Sequence, residues 1–436
     1  MKRILLAAAM LLVAVGGRCQ DLEWFGDAKL GIFIHWGIYA VDGVSESWSF
    51  HNGYVPYDQY MAQAQRFTAS KYDPKAWVDL IAESGAQYTV LTSKHHDGVA
   101  LWNTKAGDLS IPKLTPCGKD VLTPFVKAVR KKGLKLGLYY SLLDWSQEDY
   151  PIFTSTQTRY AIADDPERWQ RFVDFEFAQL RELCKAYKPD LMWFDGDWEQ
   201  TAETWHAPEI ISLLRSYNPD IVVNSRIQGY GDYATPEIGV PVVRPAERYW
   251  ELCYTINDSW GFQHKDTNFK SPYMVLRTLV DCISNGGNLL LDFGPREDGT
   301  IPDEEVAVLK ELGRWTRKHA EAVYGTRAGI PADHVKAYTS LNKAGDILYI
   351  YLPGRPNGPV EVKGLVNEVK RVRVVGSEGE IGFKVYNKLS WSDVPGLLEI
   401  DVPEDLLDPA FTVLAVELDG TAKVYRGSGQ VVTCND

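Results

Sequence analysis

Asp195, Gly196, Asp197 and Glu199 follow directly on the apolar run Leu191-Met-Trp-Phe194, so carboxylates crowd one end of a short hydrophobic segment. Such a run reads as a buried parallel strand, and acids at its C-terminal end stand where a parallel barrel gathers side chains around a substrate. Trp193, Phe194 and Trp198 are interleaved with these acids. Aromatic faces hold the apolar faces of sugars while carboxylates act on their oxygens, so the combination points to glycoside chemistry. Hydrolysis of a glycosidic bond needs two carboxyl groups flanking it, about 5 Å apart for retention of configuration and farther apart for inversion. Asp195 is the candidate nucleophile because the strand end fixes it, and Asp197, beyond Gly196, reads as structural support. The second acid has to come from another element. Glu237 lies in Gly231-Asp-Tyr-Ala-Thr-Pro-Glu237 on an irregular loop, and Glu251 lies in Tyr249-Trp-Glu-Leu252 within a strand. Glu237 is placed first and Glu251 second, since loops carry general acids to varied leaving groups more readily than strands do.

Other strand-like runs end in polar or aromatic groups in the same way. Residues 29–37 close on His35 and Trp36, residues 87–92 are followed by Lys94-His-His-Asp97, residues 134–138 by Tyr139-Tyr-Ser141, and residues 221–223 by Asn224-Ser-Arg226. His35, His95 and His96 are the available metal-ligand types. Adjacent residues on an extended chain face opposite ways, however, so His95 and His96 are not expected to share a metal. Neutral imidazoles donate and accept hydrogen bonds and suit sugar hydroxyls, and no metal is expected.

The elements that hold these residues alternate. Asp73-Pro74 opens a helix that Gly85 closes, a helix around residues 120–132 stops at Gly133, Pro166 opens a long one to about Tyr187, and further helices follow at 207–217, 271–284 and 304–324. Strands fall between them, with later ones at 249–256 and 288–293. Seven or eight such units over about 300 residues predict an α/β protein with a (β/α)8-like TIM barrel rather than a doubly wound sheet. Gly31-Ile-Phe-Ile-His-Trp-Gly37 is not the glycine-rich phosphate turn that a doubly wound nucleotide-binding sheet would want. Past residue 328 short alternating runs at 347–352, 360–362, 369–375, 382–386, 397–402 and 411–418 predict an all-β sandwich in a supporting or weak binding role. The expected division is a leader over 1–20, a barrel over 21–328 and a sandwich over 329–436.

The 436 residues carry a formal charge of −12, and the first 20 hold Lys2, Arg3, Arg18 and no acid, so the remainder stands at −15. That balance argues against nucleic acid or an anionic membrane surface as partner. The basic start, apolar centre and small residues of 1–20 read as a secretory signal peptide, which predicts an exported, periplasmic or extracellular protein; Arg18 before Cys19 fits a lipidation site poorly. No other apolar run reaches the ~20 residues of a membrane span. The six cysteines lack Cys-x-x-Cys spacing, so neither a zinc site nor a disulfide framework is indicated.

Taken in order, Leu30-Gly-Ile-Phe-Ile-His-Trp-Gly37, Val90-Leu-Thr-Ser-Lys-His-His-Asp-Gly98, Gly137-Leu-Tyr-Tyr-Ser141, Pro189-Asp-Leu-Met-Trp-Phe-Asp-Gly-Asp-Trp198, Trp250-Glu-Leu-Cys253 with Ser259-Trp-Gly-Phe262, and Asn288-Leu-Leu-Leu-Asp-Phe-Gly-Pro295 resemble the α-L-fucosidases of glycoside hydrolase family 29. The resemblance implies a barrel followed by a β-sandwich and an exo-acting, retaining double displacement without a cofactor, acting on a fucosylated oligosaccharide or glycoconjugate. It implies Asp195 as nucleophile and His35, Trp48, His95, His96, Tyr140, Trp193, Arg226 and Phe262 as fucose-binding positions. Two departures stand out: Glu46-Ser-Trp48 replaces an expected Glu-Trp pair, and Asp292 stands where the family pattern has asparagine. A galactosidase-like hexosidase and a secreted sugar-binding protein with an inactive barrel are the alternatives that the same residues leave open.

Overall fold

The structure, a computed structural model, describes residues 21–391 and 393–427. The expected leader, with Cys19, lies outside the described residues. Seven parallel strands form the central sheet: β1 Leu30–Ile34, β2 Tyr88–Lys94, β3 Lys135–Ser141, β4 Leu191–Asp195, β5 Val222–Val223, β6 Glu251–Thr255 and β7 Asn288–Phe293. Their order is β5-β4-β3-β2-β1-β7-β6, so the chain winds outward from β1 in one direction and returns to its other side at the end. Helices Pro74–Glu83, Leu122–Lys132, Pro166–Tyr187, Ala207–Tyr217, Pro272–Ser284 and Asp303–Lys318 connect or cover the strands. Local chemistry explains their starts. Asp73 accepts from Lys75 N at 2.9 Å and Ala76 N at 3.1 Å ahead of Pro74, and Asp165 accepts from Arg168 N at 3.0 Å ahead of Pro166.

The gap between β5 and β6 is closed by a segment that sequence reading treats as irregular. Residues 233–237 run parallel to both strands: Ser225 N donates to Tyr233 O, Glu251 N to Ala234 O, and Cys253 N to Pro236 O at 3.1 Å. This segment fills an eighth position in the ring. Pro236 has no N–H to give, but its carbonyl completes the pairing from one side. Within the barrel, Phe33, Tyr88, Tyr139, Leu191, Trp193, Tyr233, Cys253 and Leu290 form one buried cluster, separate from the larger core between strands and helices.

The C-terminal part is antiparallel. One sheet holds Arg327–Ala328, Tyr338–Leu341, Ile347–Pro353, Phe411–Leu418 and Val369–Val374 in that order, and a second holds Val360–Lys363, Leu397–Ile400 and Phe383–Tyr386. Leu348, Ile350, Val362, Val372, Leu398, Ile400, Leu414 and Val416 pack between them. The first two strands of the larger sheet are short and carry few apolar residues, which is why alternation does not announce them.

The two parts are locked by helix Asp303–Lys318. Its Arg314 bonds both oxygens of buried Asp408, at 2.9 and 3.0 Å, Lys318 adds a contact at 2.9 Å, and Trp315 Nε1 donates to Phe411 O at 2.9 Å. Burial alone would raise the Asp408 pKa, but these cations hold it well below the ordinary carboxylate range. A depressed carboxylate stabilises the fold above its unfolded-state pKa and loses that effect as pH falls. Asp408→Asn is therefore expected to cost about 2 kcal/mol in urea unfolding at neutral pH, the partial exposure of both cations limiting the loss, and the deficit should narrow below about pH 4.

Candidate active site

The C-terminal ends of the strands converge on a pocket of about 170 Å³ lined by Phe33, His35, Glu46, Trp48, His95, Tyr139, Trp193, Asp195, Trp198, Arg226, Glu237, Cys253 and Trp260. Asp195 closes β4, and Gly196 follows at φ +86, where a Cβ would meet Leu143 Cγ at 2.4 Å. The chain therefore turns sharply straight after the acid, which only glycine permits without strain. Asp195 Oδ2 accepts from Tyr139 Oη at 3.1 Å and lies 3.6 Å from His96 Nε2, while Oδ1 accepts from Arg226 Nη1 at 3.1 Å.

Arg226 organises the second carboxylate as well. Its Nη2 donates to Glu237 Oε2 at 2.6 Å, and its guanidinium lies 4.7 Å over the Trp193 ring. Burial works against this charge, but Asp195 and Glu237 outweigh it and push the Arg226 pKa up. Because one planar guanidinium spans both acids, Asp195 Oδ1 and Glu237 Oε2 are held within about 8 Å of each other, a bound that admits the spacing of retaining and of inverting pairs alike. Glu237 sits at the end of the eighth barrel position and its side chain is 38% exposed.

Glu251 is placed differently. Fully buried beneath the pocket, it accepts from Trp193 Nε1 at 3.0 Å, from Tyr233 Oη at 3.3 Å and from the Tyr88 hydroxyl. Burial pushes its pKa up to about 7 despite these donors. It supports the Trp193 platform and does not line the pocket. Asp197 is also structural: its Oδ2 accepts from Gln228 N and its carbonyl from Trp205 Nε1, tying the β4 loop to the chain after β5.

The three early histidines do come together. His95 and His96 have ring centroids 4.3 Å apart, and His35 and His95 6.0 Å. The expectation that His95 and His96 face opposite ways fails because β2 ends at Lys94 after a register shift, and a turn closed by Gly98 N to His95 O follows. His95 Nδ1 is bonded to Ser47 Oγ, and His96 Nδ1 to Ser141 Oγ at 2.5 Å. Burial pushes both imidazoles well below their ordinary pKa, so they are neutral hydrogen-bonding groups. Among the described residues, no set of three or more His, Cys, Asp or Glu side chains is arranged to hold a metal.

Two expected residues lie elsewhere. Tyr140 faces the helix layer, where its hydroxyl donates to Gln179 Oε1 at 2.8 Å and accepts from Lys94 Nζ at 3.2 Å. Tyr139, its neighbour on the other face of β3, takes the place in the pocket. The β3–β4 register pairs Tyr139 with Trp193 and Ser141 with Asp195, so period-two parity with Asp195 would have selected Tyr139. Phe262 lies under the Arg296 guanidinium, 5.2 Å away and off the lining, while Trp260, two residues earlier, packs 5.0 Å from His35. Glu46, buried, lines the pocket and accepts from Gly261 N at 2.6 Å; burial pushes it up to about 7. Trp48 stacks on Trp198 at 6.0 Å, and Trp198, 51% exposed, forms the rim.

The family model described as alpha-L-fucosidase matches residues 18–321. The mouse tissue alpha-L-fucosidase is 29% identical over 439 aligned residues that cover 93% of this chain and 92% of the relative. Among solved structures, α-L-fucosidase isoenzyme 1 from Paenibacillus thiaminolyticus superposes with a TM-score of 0.82 at 31% identity, covering 91% of this chain and 98% of that one. A family 29 α-L-fucosidase from Bacteroides thetaiotaomicron, solved as a trapped covalent intermediate with 2-fluoro-fucosyl fluoride, superposes with a TM-score of 0.81 at 27% identity, covering 93% and 98%.

The two tyrosines of β3 separate site from scaffold. Tyr139→Phe removes a donor to Asp195 and is expected to lower kcat/KM on an aryl glycoside by about 10- to 100-fold with unchanged thermal stability. Tyr140→Phe is expected to leave kcat/KM within about twofold and to lower Tm, since it removes two buried hydrogen bonds, to Gln179 and from Lys94, on the helix-facing side of β3.

Proposed function

The chain belongs to the α-L-fucosidase family of glycoside hydrolases, and from that membership we propose that it releases terminal α-L-fucosyl residues from glycans by an exo-acting, retaining double displacement. The observation that carries the proposal is the single guanidinium of Arg226 holding Asp195 and Glu237 on one small aromatic pocket. A volume of about 170 Å³ lies well below the range of pockets for larger ligands, and it matches one sugar ring at a chain end. Covalent trapping in the Bacteroides relative supports the retaining course.

In the first step Asp195 attacks the anomeric carbon while Glu237, at the open side, protonates the departing oxygen. The glycosyl–enzyme ester consumes the Asp195 charge, leaving Arg226 to face Glu237 alone, now a carboxylate. That carboxylate then draws a proton from water, which attacks the same carbon and restores Asp195. Tyr139 and His96 steady Asp195 at Oδ2, and Arg226 steadies it at Oδ1. Neutral His35 and His95 meet ring hydroxyls, while Phe33, Trp193 and Trp260 offer carbon surface to the methyl group that distinguishes fucose from galactose. We further propose export of the mature chain, on the strength of the basic and apolar segment at 1–20.

A panel of aryl glycosides tests substrate and mechanism together. The α-L-fucoside is expected to be cleaved in preference to galactosides; preferential galactoside cleavage would favour the hexosidase alternative, and no cleavage an inactive sugar-binding barrel. Asp195→Ala should lose about 10³-fold or more in kcat and yield an inverted fucosyl azide when azide is supplied. Glu237→Ala should yield the retained azide, and Glu251→Gln should give neither rescue product. Retained azide from the Glu251 variant would move the acid/base role to that residue.

A further inference from the structure

His35 follows β1 at the edge of the pocket, and its Nδ1 is taken up by Asp292 Oδ1 at 2.7 Å, with both side chains almost completely buried. Nε2 is then the remaining polar atom of a ring that lines the pocket. Asp292 Oδ2 has no partner. Two more buried carboxylates act on the pair: Glu46, held by Gly261 N, and Glu305, whose Oε1 accepts from Gly294 N at 3.4 Å while Oε2 is unpartnered. The other ionisable neighbours are His95, Tyr139 with its ring 5.8 Å from His35, and the buried, unpartnered hydroxyl of Tyr39. Arg296 acts on Glu305, and among the described residues His35 is the only side chain bonded to the Asp292 carboxyl.

Three carboxylates this far from water cannot all be ionised. Burial, together with Glu305 and Glu46, pushes Asp292 well above the ordinary carboxylate range, so the proton between Oδ1 and Nδ1 stays at neutral pH. Counting protons then fixes Nε2. A neutral acid bonded to a neutral imidazole leaves the ring hydrogen on Nε2, and a carboxylate bonded to an imidazolium leaves one there too. Only the loss of a further proton to solvent strips Nε2, and that gives the pair a net negative charge that Glu46 and Glu305 oppose.

We propose that Asp292 is a positioning residue which, by sharing a proton with His35, keeps His35 Nε2–H as a hydrogen-bond donor to a hydroxyl oxygen of the bound sugar. The proposal rests on the pocket taking a fucosyl group. An asparagine at 292 has no proton to surrender and can meet Nδ1 with either end of its amide, so it uncouples the ring's hydrogen from the charge of the pair.

The test uses the full chain with ¹⁵N-labelled histidine, the His35 ring being assigned by the signal missing from His35→Gln. In ligand-free wild type, Nε2 should carry the hydrogen at neutral pH and lose it only on alkaline titration. Inhibition by free L-fucose is measured in parallel for wild type and Asp292→Asn from about pH 6 to 10. Wild-type affinity should fall, by up to about tenfold, across the pH at which Nε2 loses its hydrogen, and Asp292→Asn should lack that fall. A bare Nε2 at neutral pH in wild type, or coincident fucose profiles for the two proteins, overturns the proposal. If α-L-fucosides are not hydrolysed at all, the fault lies in the proposed function, and the ligand-free spectrum still decides the protonation of the pair.

Discussion

One guanidinium holds two carboxylates, and a chain of buried contacts through the barrel's interior holds that guanidinium. Arg226 is bonded to Asp195 and Glu237 and lies over Trp193. Trp193 is in turn fixed by Glu251, which also accepts from Tyr88 and Tyr233. The line from Tyr88 and Tyr233 to the two acids thus crosses β2, β6, β4 and the closing segment. An arginine desolvated this far would be costly without its anions, and two carboxylates this close would repel without the cation. Arg226 thus ties both acids to one fixed point above Trp193.

The closing segment 233–237 explains how Glu237 can be both precise and exposed. Its backbone pairs with the chain after β5 at Tyr233 and with β6 up to Glu237, where Ile238 N donates to Cys253 O at 3.0 Å, so the side chain leaves from a fixed point just before Ile238 enters the left-handed region at φ +67. The acid is held on the scaffold at its root and meets solvent at its tip. Glu251, one strand away, is held from every side and shut from solvent, which suits a support and not a proton shuttle that meets varied leaving groups.

How much of this was legible in the sequence depended on whether period and chemistry coincided. Barrel strands ending in polar groups stood out because each apolar run broke abruptly, as at Phe194 to Asp195 and Ile34 to His35. The choice between Tyr139 and Tyr140 did not, since both precede Ser141 and only cross-strand register fixes their parity. The eighth barrel position was hidden because Pro236 and the glycines around it carry the signature of a loop, while the hydrogen bonds that make it a barrel element come from its neighbours. Adjacent histidines were assigned opposite faces by a rule for extended chain that ceased to apply one residue earlier, at the end of β2. Trp260 and Phe262 share one loop, so no periodicity could rank them. The buried acids Glu46, Asp292 and Glu305 are separated by up to 259 positions in sequence, and only the folded chain shows that they act on each other.

The central claim is that Asp195, presented by β4 and steadied by Tyr139, His96 and Arg226, bonds to the anomeric carbon during turnover. The most direct measurement is to trap the enzyme with a 2-fluoro-fucosyl donor, digest it and locate the label by mass spectrometry. The account requires a single fucosyl adduct on the peptide carrying Asp195. A label on any other peptide, or complete inactivation without an adduct, would contradict it.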